Sequence, residues 1–148
     1  REAGVSKGGL LYHFASKEEL LTGMVGEFVE LIEARMAEAM RDDPKPGRWT
    51  RAYLSACTVD RSGDDPMDRL ATAVLAAGAS NQALLERLYA RQHDWLRNQR
   101  SDGIDPLTAA IVRLAADGLW MNDLFGIEAL SGDEREAVIA RLLEMTAP

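Results

Sequence analysis

From residue 16 onward, apolar side chains recur every three to four positions, and no stretch alternates apolar with polar residue by residue. That period puts the apolar side chains on one face of an α-helix. Ser16 with Glu19 three residues on predicts a capped helix start. Leu20, Leu21, Met24, Val25, Phe28, Leu31, Ile32, Met36 and Met40 then form a stripe that stops near Asp43, ahead of Pro44 and Pro46. At 1.5 Å per residue this helix spans roughly 35 Å. A second helix is predicted from about Trp49 to Val59. A third starts at Pro66 behind the cap Asp65 and runs to about Ala79. A fourth runs from Ser80 or Asn81 to Arg100 and is closed by Gly103. A fifth follows Asp105-Pro106 through Phe125, and a sixth follows Ser131-Gly132-Asp133 through Met145. The fold class this pattern predicts is all-α.

The fifth helix is apolar on more than one face. Leu107, Ile111, Leu114 and Phe125 form one stripe, with Trp120 and Leu124 on another. Such a helix is buried on both sides. The sixth has a wide apolar face as well. A monomeric core would need a further element to cover these faces, so a homodimer is expected. Its expected interface is Ile111, Leu114, Phe125, Val138, Ile139, Leu142 and Met145.

Composition narrows the class. An apolar share of 47% supports a packed core and argues against disorder despite a net charge of -7. No run approaches the ~18 apolar residues of a membrane span, and no secretory leader pattern is present. The single cysteine, Cys57, permits no intramolecular disulfide, which fits a reducing cytoplasm. Two histidines and one cysteine make a zinc site improbable, and no metal or cofactor is expected. Ser, His and Asp occur without a usable array, and no Gly-x-Ser-x-Gly, Walker loop or Rossmann glycine set is present. An enzyme is therefore not the expectation.

The first twenty residues have a different character. Gly4 suits a sharp turn. Val5 is apolar and can fill the angle between two helices. Ser6 is a good N-cap, so a short helix can start at Lys7. Gly8 and Gly9 cost about 1 kcal/mol each in a helix, relative to alanine. Their absent side chains let backbone approach a surface, and a helix N-terminus favours phosphate. Tyr12, His13 and Lys17 carry polar tips able to reach phosphate oxygens.

The ordered string Gly-Val-Ser-Lys-Gly-Gly-Leu-Leu-Tyr-His-Phe-x-Ser-Lys-Glu-Glu-Leu-Leu resembles the DNA-binding signature of TetR-family transcriptional repressors. The resemblance implies the back half of a helix-turn-helix at residues 1–20, with a ligand-binding and dimerisation domain at 21–148. It implies that Ser6 and Lys7 touch phosphate and a base edge. Gly8 and Gly9 would lie against the major groove, and Tyr12, His13 and Lys17 would clamp phosphates. The order of the later helices resembles the family's sensing domain. The last two would form a four-helix bundle with a partner subunit. Many members place Thr or Ser at the position of Gly9 and Tyr at that of Leu11, so direct base readout here has fewer hydroxyls. The chain opens at Arg1-Glu2-Ala3 rather than Met. The family's first helices are therefore expected to precede it, and the chain alone is expected to hold DNA poorly. An acidic pI is unusual for a nucleic-acid binder. It fits a small local DNA patch joined to an acidic sensing body.

The expected partners are thus palindromic operator DNA, a second copy of the chain and an apolar or amphipathic small-molecule effector. Binding of the effector is expected to release the operator through the helix that starts at Ser16. Pocket candidates are Phe28, Trp49, Tyr53, Met67, Leu70, Tyr89, His93, Asp117, Trp120 and Met121. Asp117 and Asp123 sit among apolar neighbours, and buried carboxylates need partners. Arg113, one turn before Asp117, is one such partner; a cationic ligand is another. The alternative function is a helical small-molecule-binding or interaction module without a role at DNA.

Overall fold

The computed structural model describes residues 14–58, 65–78 and 86–147. Six helices make up the described residues, with no strand among them: α1 (Lys17–Met40), α2 (Arg48–Thr58), α3 (Pro66–Gly78), α4 (Glu86–Arg100), α5 (Pro106–Phe125) and α6 (Gly132–Met145). No helix among the described residues is long and apolar enough to cross a membrane.

The helix starts follow local chemistry. Ser16 Oγ accepts from the Glu19 N–H (3.0 Å), while Glu19 Oε2 reaches back past the cap to the Ala15 N–H (2.7 Å). Asp105 caps α5 by accepting from the Thr108 N–H (2.8 Å). Ser131 and Glu134 form a reciprocal capping box at α6. The start of α2 is different. Its first amides are satisfied from a distance: Asp102, in the turn after α4, accepts from the Trp49 N–H (2.9 Å), the Thr50 N–H (2.8 Å) and the Thr50 hydroxyl (2.8 Å). The Asp102 carbonyl also accepts from the Gly47 N–H (2.7 Å). Gly47 sits at φ +85°, and a Cβ there would come within 2.7 Å of the Thr146 carbonyl oxygen. Only glycine suits that turn.

α2 is the central element. Trp49, Thr50, Ala52, Tyr53, Leu54, Ala56 and Cys57 are all buried. It lies between the buried face of α1 (Val25, Phe28, Val29, Ile32, Met36) and that of α5 (Ala109, Val112, Ala116, Leu119). Arg51, on its outer side, gathers the surrounding loops. It bonds Asp43 through Nε (2.7 Å) and Nη2 (3.0 Å), and donates to the carbonyls of Pro46 (3.0 Å), Lys45 (3.2 Å) and Thr146 (2.9 Å). The end of α1 and the end of α6 are thereby fastened to one guanidinium. The hydrogen bonds from Arg51, more than its charge, hold the Asp43 carboxyl below its ordinary value.

Burial is uneven along α1. No residue from 17 to 24 is buried, and the core begins at Val25. In that first part Gly23 faces Phe14, whose ring would lie 3.1 Å from an added Cβ, whereas Gly26 has open space. The glycine pair thus divides: Gly23 serves a close approach and Gly26 does not.

Candidate effector cavity and recognition segment

Five of the helices contribute to one cavity of about 250 Å³. α1 supplies Phe28 and Ile32, α2 Tyr53 and Cys57, and α3 Met67, Ala71, Val74 and Leu75. α4 adds Leu88, Gln92 and Trp95, and α5 adds Asp117, Trp120 and Met121. The helical spacing of each set explains the gathering. Residues 28 and 32, 53 and 57, and 67, 71 and 74 are one turn apart and share a face.

The wall is aromatic. Phe28 and Trp120 have ring centroids 6.0 Å apart, and Tyr53 meets Trp95 edge to face at 6.1 Å. Trp49 stacks behind Tyr53 at 5.4 Å. Within this wall the Tyr53 hydroxyl donates to Asp117 Oδ1 (2.6 Å). Burial raises the Asp117 pKa above the ordinary carboxylate value, against the opposing pull of the Tyr53 hydrogen bond and the Arg113 charge. Burial and the neighbouring acidic groups also push Tyr53 well up, so it stays a neutral donor. Trp120 Nε1 is buried and has no hydrogen-bond partner among the described residues.

Arg113, read from the sequence as a partner of Asp117, is committed elsewhere. Its guanidinium bonds Gln92 Oε1 and Gln99 Oε1 (3.5 Å) and lies over the Tyr53 ring, 5.3 Å from the centroid. Its charge acts on Asp117 without a hydrogen bond, and Tyr53 makes the direct contact. Asp123 pairs with Arg135 on α6 (2.8 Å) at the surface.

The sequence candidates separate accordingly. Phe28, Tyr53, Met67, Asp117, Trp120 and Met121 line the cavity. Trp49 is buried behind Tyr53, and Leu70 packs half-buried against the core. Tyr89 and His93 are exposed on the outer face of α4. Trp95 and Gln92 also line the cavity and are not among the sequence candidates. The signal was their spacing: 88, 92 and 95 lie on one face of α4, the face opposite 89 and 93. Trp95 also ties the cavity to α1, because its indole N–H donates to Glu33 (3.0 Å), which Arg91 also engages (2.9 Å).

Against known families, residues 47–147 match the profile described as tetracyclin repressor-like, C-terminal domain. The chain belongs to the TetR family. Residues 1–24 match the family's N-terminal profile, bacterial regulatory proteins of the tetR family. No curated protein and no solved structure gives a significant match. The TetR-family architecture joins a helix-turn-helix DNA-binding part to a helical C-terminal domain, the organisation of a ligand-responsive transcriptional regulator. Ser6, Lys7, Gly8, Gly9, Tyr12 and His13 lie outside the described residues. Lys17 is exposed on the first turn of α1.

The residues expected at a dimer interface fall into two groups. Leu114 is 71% exposed and Phe125 61%, with Leu107 and Ile111 beside them on one stripe of α5. Leu142, by contrast, is 6% exposed and belongs to the core of the subunit. Val138, Ile139 and Met145 are half-buried against that core. The reason is geometric: α6 turns its 138–142–145 face toward the subunit interior and leaves Leu143 outward.

Proposed function

We propose that this protein is a repressor that binds a palindromic operator as a homodimer and leaves it when an effector enters the cavity. The observation that carries the reading is that the cavity shares a wall with α1. Phe28 and Ile32 line it, and the first part of α1, residues 17–24, lies within the segment that matches the family's N-terminal profile. An occupant pressing on Phe28, or moving Trp95 and with it Glu33, changes the set of α1 relative to the core. In this reading residues 1–20 read DNA through Ser6, Lys7, Gly8, Gly9, Tyr12, His13 and Lys17. Residues 21–148 sense and dimerise. The second copy covers the exposed α5 stripe, with Leu143 of α6 beside it. Two recognition helices related by a two-fold axis then meet half-sites about one DNA turn apart.

Selection from random duplexes by the full-length regulator tests the DNA half. A two-fold-symmetric site is expected; an asymmetric consensus, or none, overturns it. Titration of effector and operator on the same dimer tests the sensing half. The effector must bind the released state more tightly, because equal affinity shifts nothing, and each ligand must weaken the other by the same factor. Ala71→Leu narrows the cavity and is expected to keep operator affinity while losing the response. Independent titrations would leave only a dimerisation scaffold.

A further inference from the structure

The cavity holds more chemical information than its apolar lining. Asp117 is the acidic side chain among its described walls. One carboxylate oxygen accepts from Tyr53, and the other has no hydrogen bond among the described residues. Phe28, Tyr53, Trp95 and Trp120 line the same cavity with aromatic rings. Arg113 does not line the cavity and is bound to Gln92 and Gln99, so it leaves that second oxygen unclaimed. A carboxylate among ring faces is a site for an organic cation, since ring faces and carboxylate both attract positive charge. Resting on the effector reading above, we infer that the cavity selects a lipophilic monocation: an ammonium head at Asp117 with an aromatic or branched aliphatic body among Phe28, Trp95 and Trp120.

Size agrees. A cavity of about 150 Å³ already takes benzene, so one of about 250 Å³ holds a ring and a small charged head. Charge agrees as well. A buried carboxylate without a full partner is unfavourable in the empty protein, and a cation of matching shape removes that penalty. The raised pKa of Asp117 is the signature of that unmet cost. A neutral ligand of the same shape fills the space and leaves the carboxylate as it was. An anion meets like charge.

Two probes of equal shape test this: benzyltrimethylammonium, and 2,2-dimethylpropylbenzene, in which carbon replaces the charged nitrogen. Binding to the purified protein is read from the fluorescence of Trp95 and Trp120 and by calorimetry. The cation is expected to bind the wild type at least about tenfold tighter than the hydrocarbon. Asp117→Asn, which keeps an acceptor for Tyr53, is expected to erase that preference and leave hydrocarbon binding unchanged. The hydrocarbon thus doubles as the control that the variant is folded. Equal affinity of the two probes for the wild type overturns the charge assignment while the cavity stands as an apolar effector site. Binding of both probes that Ala71→Leu fails to weaken overturns the cavity itself, and with it the sensing half of the function above.

Discussion

The split between the two candidate interface residues Leu114 and Leu142 gives the sharpest test of the subunit boundary. Leu114 is 71% exposed. Covering it with a second copy recovers about 1–2 kcal/mol of the roughly 1.5–3 kcal/mol available to a fully buried leucine. Two-fold symmetry counts every interface residue twice, so Leu114→Ala is expected to cost the dimer about 2–4 kcal/mol, or about 30- to 700-fold in Kd. Sedimentation velocity over a concentration series reads this directly, and the melting curve of the subunit should barely move once dissociation is allowed for. Leu142→Ala should behave in the opposite way. At 6% exposure it leaves a hole in the subunit core, with an expected loss of about 2–5 kcal/mol in folding stability. A dimer Kd for Leu114→Ala within about threefold of wild type, less than half a tenfold step, would show that the α5 stripe is not the dimer face.

Asp102→Ala strips the cap from α2 and strands two of its amides; at about 1–3 kcal/mol for each unmet group, a loss near 3 kcal/mol is expected. Tm should then fall by roughly 6–12 °C at this chain length, and a fall under about 2 °C would deny the cap its weight. Gly26→Ala has open space and should raise Tm by about 2–4 °C through helix propensity alone; Gly23→Ala should gain less, because its Cβ meets Phe14 at 3.1 Å. Equal gains would remove that contact from the account. Asp43, Asp105 and Glu134 all have lowered pKa values, so their stabilisation is present above the ordinary carboxylate range and is lost as pH falls through their folded values. Arg51→Met should shrink the Asp43 share of this acid loss in a pH series of urea melts. Asp117 has the opposite sign: its raised value costs stability as pH rises through it. Asp117→Asn should therefore melt higher than wild type at pH 7 and lose that advantage at pH 3; a lower melt at both would contradict the burial argument.

Helix order and most helix starts were legible because their causes are local. Ser16, Asp105 and Ser131 cap the residues that follow them, and the apolar period survives in α1 and α5. What was not legible is tertiary. The cap of α2 comes from Asp102, more than fifty residues along the chain, and no local pattern announces it. Asp117 has a basic residue one turn away, yet its contact comes from Tyr53 on another helix. Helical spacing could have separated the inward 88–92–95 face of α4 from the outward Tyr89 and His93. An aromatic residue was taken as a pocket candidate for its type rather than for its face. Leu142 was misplaced for a related reason: a wide apolar stripe on α6 does not say which edge meets its own subunit.

The fastening at Arg51 sets a mechanical boundary condition. One end of α1 is clamped, since Asp43, the following carbonyls and the end of α6 share a single guanidinium. At the other end, residues 17–24 project with none of them buried. In the reading proposed above the helix acts as a lever, with an occupant of the cavity pressing on its middle at Phe28 and Ile32. A clamped beam swings and cannot slide, so the displacement grows with distance from the clamp. With 24 residues and about 1.5 Å each, the beam is about 36 Å long, and a tilt of about 5° carries its free end roughly 3 Å. The occupant itself need move its neighbours by only half that distance. In that reading the stiffness of the lever is set at its Arg51 end. Loosening Arg51 should blunt the response while leaving both binding sites chemically intact.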